Sequence, residues 1–156
     1  MTGIAFEYRR RAKGFTLVEL LIVIAVICIL MSLAVPSLLQ SRIAANETSA
    51  IASLRVIAKG MEIYHVKGMG GANSYPADYR ALGTMLPPEL DTILTTGQKS
   101  GYAFEGGGSA GNFAITACPV QYGTSGRRSF FVDATGVIRF SENNGAAATA
   151  TGSPIQ

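Results

Sequence analysis

Histidine occurs once and cysteine twice among 156 residues, and only 15% of the side chains are charged. One histidine, His65, with no cysteine or carboxylate at ligand spacing, excludes a histidine-built metal site and a Ser-His-Asp or Cys-His catalytic set. Two cysteines are too few for a disulfide scaffold. Cys28 lies in an apolar run and Cys118 far beyond it, so the pair is not expected to meet, and Cys118 reads as a small buried residue in a strand. A second long apolar stretch is also missing, which excludes a multi-pass membrane protein. The 48% hydrophobic content in turn excludes disorder throughout.

The charge that is present is concentrated. Arg9, Arg10, Arg11 and Lys13 against Glu7 give the first 14 residues a charge of +3, and the remainder carries nine basic and nine acidic side chains. A general nucleic-acid surface is therefore not implied, and no nucleic-acid partner is expected. Arg127-Arg128 reads as a solvated turn.

From Phe15 to Leu39 the chain runs FTLVELLIVIAVICILMSLAVPSLL, 25 residues with Glu19 as the one ionisable group. As a helix it would span roughly 37 Å, more than the hydrocarbon core of about 30 Å. The basic cluster before it is expected to hold the N-terminus in the cytoplasm. A cleaved secretory signal, with Ser32-Leu33-Ala34 as its site, is the competing reading. Its apolar region would be about 7–15 residues, and the run here is longer and carries a carboxylate. A plain anchor leaves Glu19 unexplained, because an acid in mid-membrane costs about 2.5–3.5 kcal/mol, less near the end.

Lys13-Gly14-Phe15-Thr16-Leu17-Val18-Glu19 followed by an uncharged run resembles the processing signature of type IV prepilins and pseudopilins. The resemblance covers residues 9–40. It implies a cut between Gly14 and Phe15 by a membrane-embedded prepilin peptidase, which also N-methylates Phe15, and it places Glu19 in the family's assembly position. Cutting would create an ammonium at the head of the helix, so that Glu19 of one subunit can face the Phe15 ammonium of a neighbour. In an apolar bundle a mismatch leaves a buried charge unpaired, so the pair is expected to set axial register more than to add stability. Pro36 removes a helical N–H, and a kink or local melting is expected there. The family's stems often carry a proline at this position.

Further along, Ala50, Leu54, Ile57, Met61 and Tyr64 follow helical spacing. Glu47 would extend that seam backward but is charged, so the seam is expected to begin after it. Gly60 interrupts the seam, and Gly68, Gly70 and Gly71 are expected to stop the helix. Short helical pieces are expected at Ala77–Leu82 and at Pro88–Leu94, with Pro88 in the first turn. Residues 101–141 switch to period two and predict an antiparallel meander of about four strands, with Asp133-Ala134-Thr135-Gly136 as the last turn. Gly106-Gly107-Gly108-Ser109-Ala110-Gly111 matches a dinucleotide fingerprint only formally, since a strand-like segment follows. It reads as a flexible hairpin loop.

The expected organisation is α+β: a cleaved basic leader (1–14), a transmembrane and assembly helix (15–40), an amphipathic helix with loop and β-meander head (41–141), and a disordered tail (142–156). The function implied is that of a structural, non-enzymatic subunit of a type IV pilus-like filament without cofactor or metal. Its implied partners are copies of itself, the peptidase and N-methyltransferase, and the assembly ATPase and platform. The precursor would lie in the inner membrane as a single-pass protein, and the filament would be periplasmic or extracellular. A type II secretion pseudopilin is the alternative, and a DNA-uptake or tip minor pilin is another. Major pseudopilins carry a tryptophan-containing head motif and an acidic calcium loop. Here tryptophan is absent and only Glu105, Asp133 and Glu142 follow Asp91 as acids, too few oxygens for calcium.

Overall fold

The computed structural model describes residues 14–71, 74–85 and 90–155. The chain divides into two units, Met1–Ser37 and Leu38–Gln156. Helix α1, Leu17–Val66, contributes to both. In the first unit every described residue is exposed, including the whole apolar run to Ser37. This helix is long and apolar enough to cross a membrane. It passes through Pro36 as continuous helix, although Pro36 brings no N–H to the carbonyl of Ser32.

In the second unit α1 buries one stripe: Ile43, Glu47, Ala50, Leu54, Ile57 and Met61, with Ser53 and Gly60 beside it. The stripe thus begins earlier than expected and runs through Glu47 itself. The helix also continues through Gly60, which is buried. It stops after Val66, where Gly68 takes φ +63° and donates its N–H to the His65 carbonyl at 3.1 Å. A left-handed residue at this place is readily supplied by glycine.

The stripe packs on a six-stranded antiparallel sheet whose order follows the chain: β1 Gln98–Lys99, β2 Tyr102–Ser109, β3 Asn112–Pro119, β4 Ser129–Asp133, β5 Arg139–Ser141 and β6 Ser153–Pro154. The four expected strands are present, and a two-residue strand flanks each edge. Leu54, Ile57 and Met61 meet Tyr102, Phe104, Ile115, Phe130 and Val132 in one core. Each such fully buried side chain is worth about 1.5–3 kcal/mol. The core also takes in Tyr79, at the start of a 3-10 helix Tyr79–Thr84, and Leu94 of α2, Thr92–Thr95. The Tyr79 hydroxyl donates to the Leu94 carbonyl at 3.2 Å, which satisfies its buried oxygen. The first helical piece lies two residues later than expected, because Asp78 caps it by accepting the Arg80 N–H. The second is capped by Asp91, and Pro88 lies outside the described residues.

Two further expectations are corrected. The glycine run is not a loop: Gly106, Gly107 and Gly108 are strand residues opposite Ile115, Ala114 and Phe113. The hairpin turns at Ala110-Gly111, with Gly111 at φ +81°. The strand needs glycine because the segment at 75–78 runs directly over it. Gly108 N–H donates to the Pro76 carbonyl at 2.7 Å, and a Cβ on Gly107 would strike the Ala77 carbonyl. The tail is not disordered either. Ser153 and Pro154 pair with Phe140 and Arg139, and Ala148 is buried. Its small polar composition hid the fact that Ile155 packs against the core.

Asp133–Gly136 forms the expected turn. Gly136 N–H donates to the Asp133 carbonyl at 2.9 Å, and Asp133 Oδ1 accepts the Thr135 N–H at 2.9 Å.

Candidate functional site

In the first unit the chemistry is at the mouth of α1. Among the described residues nothing lies within 4 Å of where a Cβ on Gly14 would be, and Phe15 is 82% exposed. Two residues on, Thr16 and Glu19 form a reciprocal cap. Glu19 Oε2 accepts the Thr16 N–H at 2.9 Å and its hydroxyl at 2.8 Å, while Thr16 Oγ1 accepts the Glu19 N–H at 3.2 Å. This is the capping box, in which two otherwise orphaned donors of a helix start are satisfied by each other's residues. It also places a carboxylate at the positive end of the helix dipole.

Glu19 therefore has partners within its own chain. Thr16 is a site residue that the sequence reading missed, although Thr-x-x-Glu ahead of an apolar run is the sequence signal for such a cap. Gly14 and Phe15 precede this helix start and Glu19 lies in its first turn, where its hydrogen bonds go to Thr16. Pro36 lies inside the helix 17 positions beyond Glu19 and belongs to no common cluster with them. There Ser32 Oγ donates to the Ile29 carbonyl at 2.7 Å.

The second unit holds a different feature, at the position after which the apolar seam was expected to begin. Glu47 is 5% exposed. Its Oε1 accepts the backbone N–H groups of Arg127 and Arg128, and its Oε2 receives the Arg128 guanidinium. Arg128 further stacks over Phe130 and Phe140, 5.7 and 5.3 Å from the ring centroids. Of the two arginines expected to be solvated, Arg127 is exposed and Arg128 is the clamp. A charged residue on the buried seam of a helix demands a cation, and that demand was the available signal. An open cleft of about 270 Å³ lies against this clamp, lined by Gln40, Ile43, Ala44, Glu47, Arg127, Arg128 and Glu142.

The loop leading to Arg128 is tied to α1 once more, by Asn46 Nδ2 donating to the Ser125 carbonyl at 2.9 Å. Tyr102 supports the same loop through its hydroxyl, which donates to the Arg128 carbonyl at 2.8 Å. Burial pushes the Tyr102 phenol well above its ordinary range, with the nearby Glu47 carboxylate adding to the rise. Cys118 is half-buried and a free thiol, raised by burial and partly lowered by the Ser129 hydroxyl. Cys28 is also free. Among the described residues no group of three or more His, Cys, Asp and Glu is placed to hold a metal.

Comparison with known proteins bears on the helix start directly. A family model described as the prokaryotic N-terminal methylation motif matches residues 9–35. The chain is 36% identical over 114 residues to the type IV wide pilus major component PilA4 of Thermus thermophilus, covering 70% of this chain and 84% of that protein. It is 29% identical over 85 residues to the type II secretion system core protein G of Dickeya chrysanthemi, about half of each chain (51% and 53%). With the competence protein ComGC of Streptococcus pneumoniae it shares 34% identity over 62 residues, 40% of this chain and 57% of that one. No solved structure is a significant match.

Proposed function

This chain belongs to the type IV pilin and pseudopilin family, and we propose that the Gly14–Phe15 bond is where its precursor is cut and Phe15 is N-methylated. The protein is a structural subunit of a pilus-like filament. The observation that carries the reading is the exposed Gly14-Phe15 step at the start of a capped apolar helix, inside the matched methylation motif.

Before the cut, the precursor lies in the inner membrane with the basic residues 9–13 in the cytoplasm, since clustered Lys and Arg stay on that side. The cut removes that positive segment, which otherwise opposes withdrawal of the helix from the bilayer. It leaves an ammonium on Phe15, next to the Thr16–Glu19 cap. In the filament, Glu19 of one subunit faces the Phe15 ammonium of its neighbour. Because the cap already supplies hydrogen bonds to Glu19 Oε2, the neighbour's contribution is charge compensation. An unpaired charge in a low-dielectric bundle is strongly disfavoured, and only one axial register avoids it. Pro36, with its missing N–H, is the point at which the helix yields during packing. The partners on this reading are further copies of the chain, the peptidase and N-methyltransferase, and the assembly ATPase and platform.

Mass spectrometry of native filaments tests the scheme. The expected subunit begins at N-methylated Phe15, and Gly14→Arg is expected to give uncut precursor and no filament. Filaments built from chains that retain Met1 would overturn it.

The match to core protein G favours a second reading, a pseudopilus of a type II secretion system. A deletion strain that loses surface filaments and keeps its secreted proteins supports the pilus, and one that loses secretion supports the pseudopilus.

A further inference from the structure

Both edges of the sheet are minimal. β1 is Gln98–Lys99 and β6 is Ser153–Pro154. A sheet edge is a template for another strand unless it is short, charged or blocked by proline. Lys99 serves one edge in this way. Pro154, which has no N–H to offer, serves the other.

The β6 guard is lightly held. Two residue pairs join it to β5, Ile155 N–H donates to the Ile138 carbonyl at 2.9 Å, Arg139 Nη1 reaches the Gly152 carbonyl at 3.5 Å, and Ala148 and Ile155 supply its apolar contacts. Between β5 and β6 the chain bonds largely to itself: Ala146 N–H to the Asn143 carbonyl, Asn143 Nδ2 to the Ala147 carbonyl, and Gly152 N–H to the Thr149 carbonyl. Meanwhile β5 keeps two buried polar atoms, Arg139 Nε and Ser141 Oγ, with no hydrogen-bond partner among the described residues. Buried polar atoms left without partners cost stability, so β5 is held at less than full hydrogen bonding.

We propose that residues 142–155 form a strap that opens independently of the rest of the head, and that it guards the β5 edge against strand addition from a second copy of this chain. The second copy is the occupant because, on the filament reading, each neighbour carries the same β6 at high local concentration. An identical strand placed on β5 makes identical bonds, as in strand exchange.

The full chain in detergent micelles serves for the test, and the strap half of it holds whether or not the filament reading does. By amide hydrogen exchange, the Ile155 N–H is expected to exchange about 100-fold or more faster than the β3 and β4 amides. Equal protection overturns the strap. A labelled peptide of residues 149–156 is expected to bind a chain ending at Ser141, and also the full chain carrying Ile155→Asp, more tightly than it binds the unaltered chain. Failure to bind either chain while the circular dichroism of the head is intact overturns the guard.

Discussion

Arg128 closes on Glu47 with Nε and Nη2 at 2.7 and 2.6 Å from a single oxygen, Oε2. The other oxygen takes two backbone N–H groups at 3.0 and 3.2 Å. The carboxylate thus holds both the charge and the backbone of the loop, and the two functions separate by mutation. Removing one partner of a buried pair costs about 3–5 kcal/mol. Because the Arg128 side chain is about a third exposed, Arg128→Ala is expected to cost less, about 2 kcal/mol. Glu47→Gln keeps an acceptor for the backbone donors and is expected to be milder than Glu47→Leu, which orphans both. Thermal unfolding followed by circular dichroism in detergent gives the order. Equal effects of Gln and Leu would show that the backbone bonds contribute nothing.

Thr16→Val removes the hydroxyl that both donates to Glu19 and accepts its N–H. Losing an N-cap costs about 0.5–2 kcal/mol, felt in the first turn only. The amides of Val18 and Glu19 are expected to exchange faster with solvent, with no change in the melting of the head. A shift in head stability would mean that the cap acts beyond its own turn.

What was legible in the sequence follows from which forces leave a pattern in it. The long apolar run is a membrane-length pattern and the alternation of Phe113, Ile115 and Ala117 a burial pattern, and they locate the helix and the central strands correctly. Gln98–Lys99 and Ser153–Pro154 become strands by pairing with a neighbour's backbone, with no alternation to announce them. Gly106–Gly108 has no side chains with which to alternate, and its identity records the backbone of Ala77 lying against it. Glu47 sits in the core without apolar character to signal it, because the partner that neutralises it lies about 80 residues away in sequence. Thr16 was readable, since the cap needs only the four residues from Thr16 to Glu19.

Gly107→Ala tests the close approach over β2. The added methyl would meet the Ala77 carbonyl, a backbone atom that cannot swing aside. Overpacking of this kind costs about 1–3 kcal/mol. Gly111→Ala meets open space but holds φ +81°, so its cost is conformational and smaller, about 1 kcal/mol. Urea titration of the two variants should rank Gly107→Ala as the less stable. The reverse order would place the segment at 75–78 away from the strand.

The buried phenols make the head sensitive to base. Tyr79 and Tyr102 are both pushed above the ordinary value of 10.0, in each case chiefly by burial, so the folded state holds them protonated where the unfolded chain would ionise. Below pH 10 the two states bind the same protons at these positions, and no stability depends on them. As pH rises past the unfolded value the unfolded chain releases protons that the folded chain keeps, and stability falls steadily from there towards the folded values. Cys118, raised by burial from 9.0, adds the same sign of effect beginning one unit lower. The expected record is a flat unfolding free energy from pH 7 to about 9, then a continuous decline that ends in loss of the sheet signal. Tyr102→Phe removes one titrating group along with its bond to the Arg128 carbonyl, so it should lower stability at neutral pH and make the alkaline decline shallower. If Tyr102→Phe left the alkaline slope unchanged, the phenol would have to be ionising freely in the folded head, and its burial against the Arg127–Arg128 loop would be wrong.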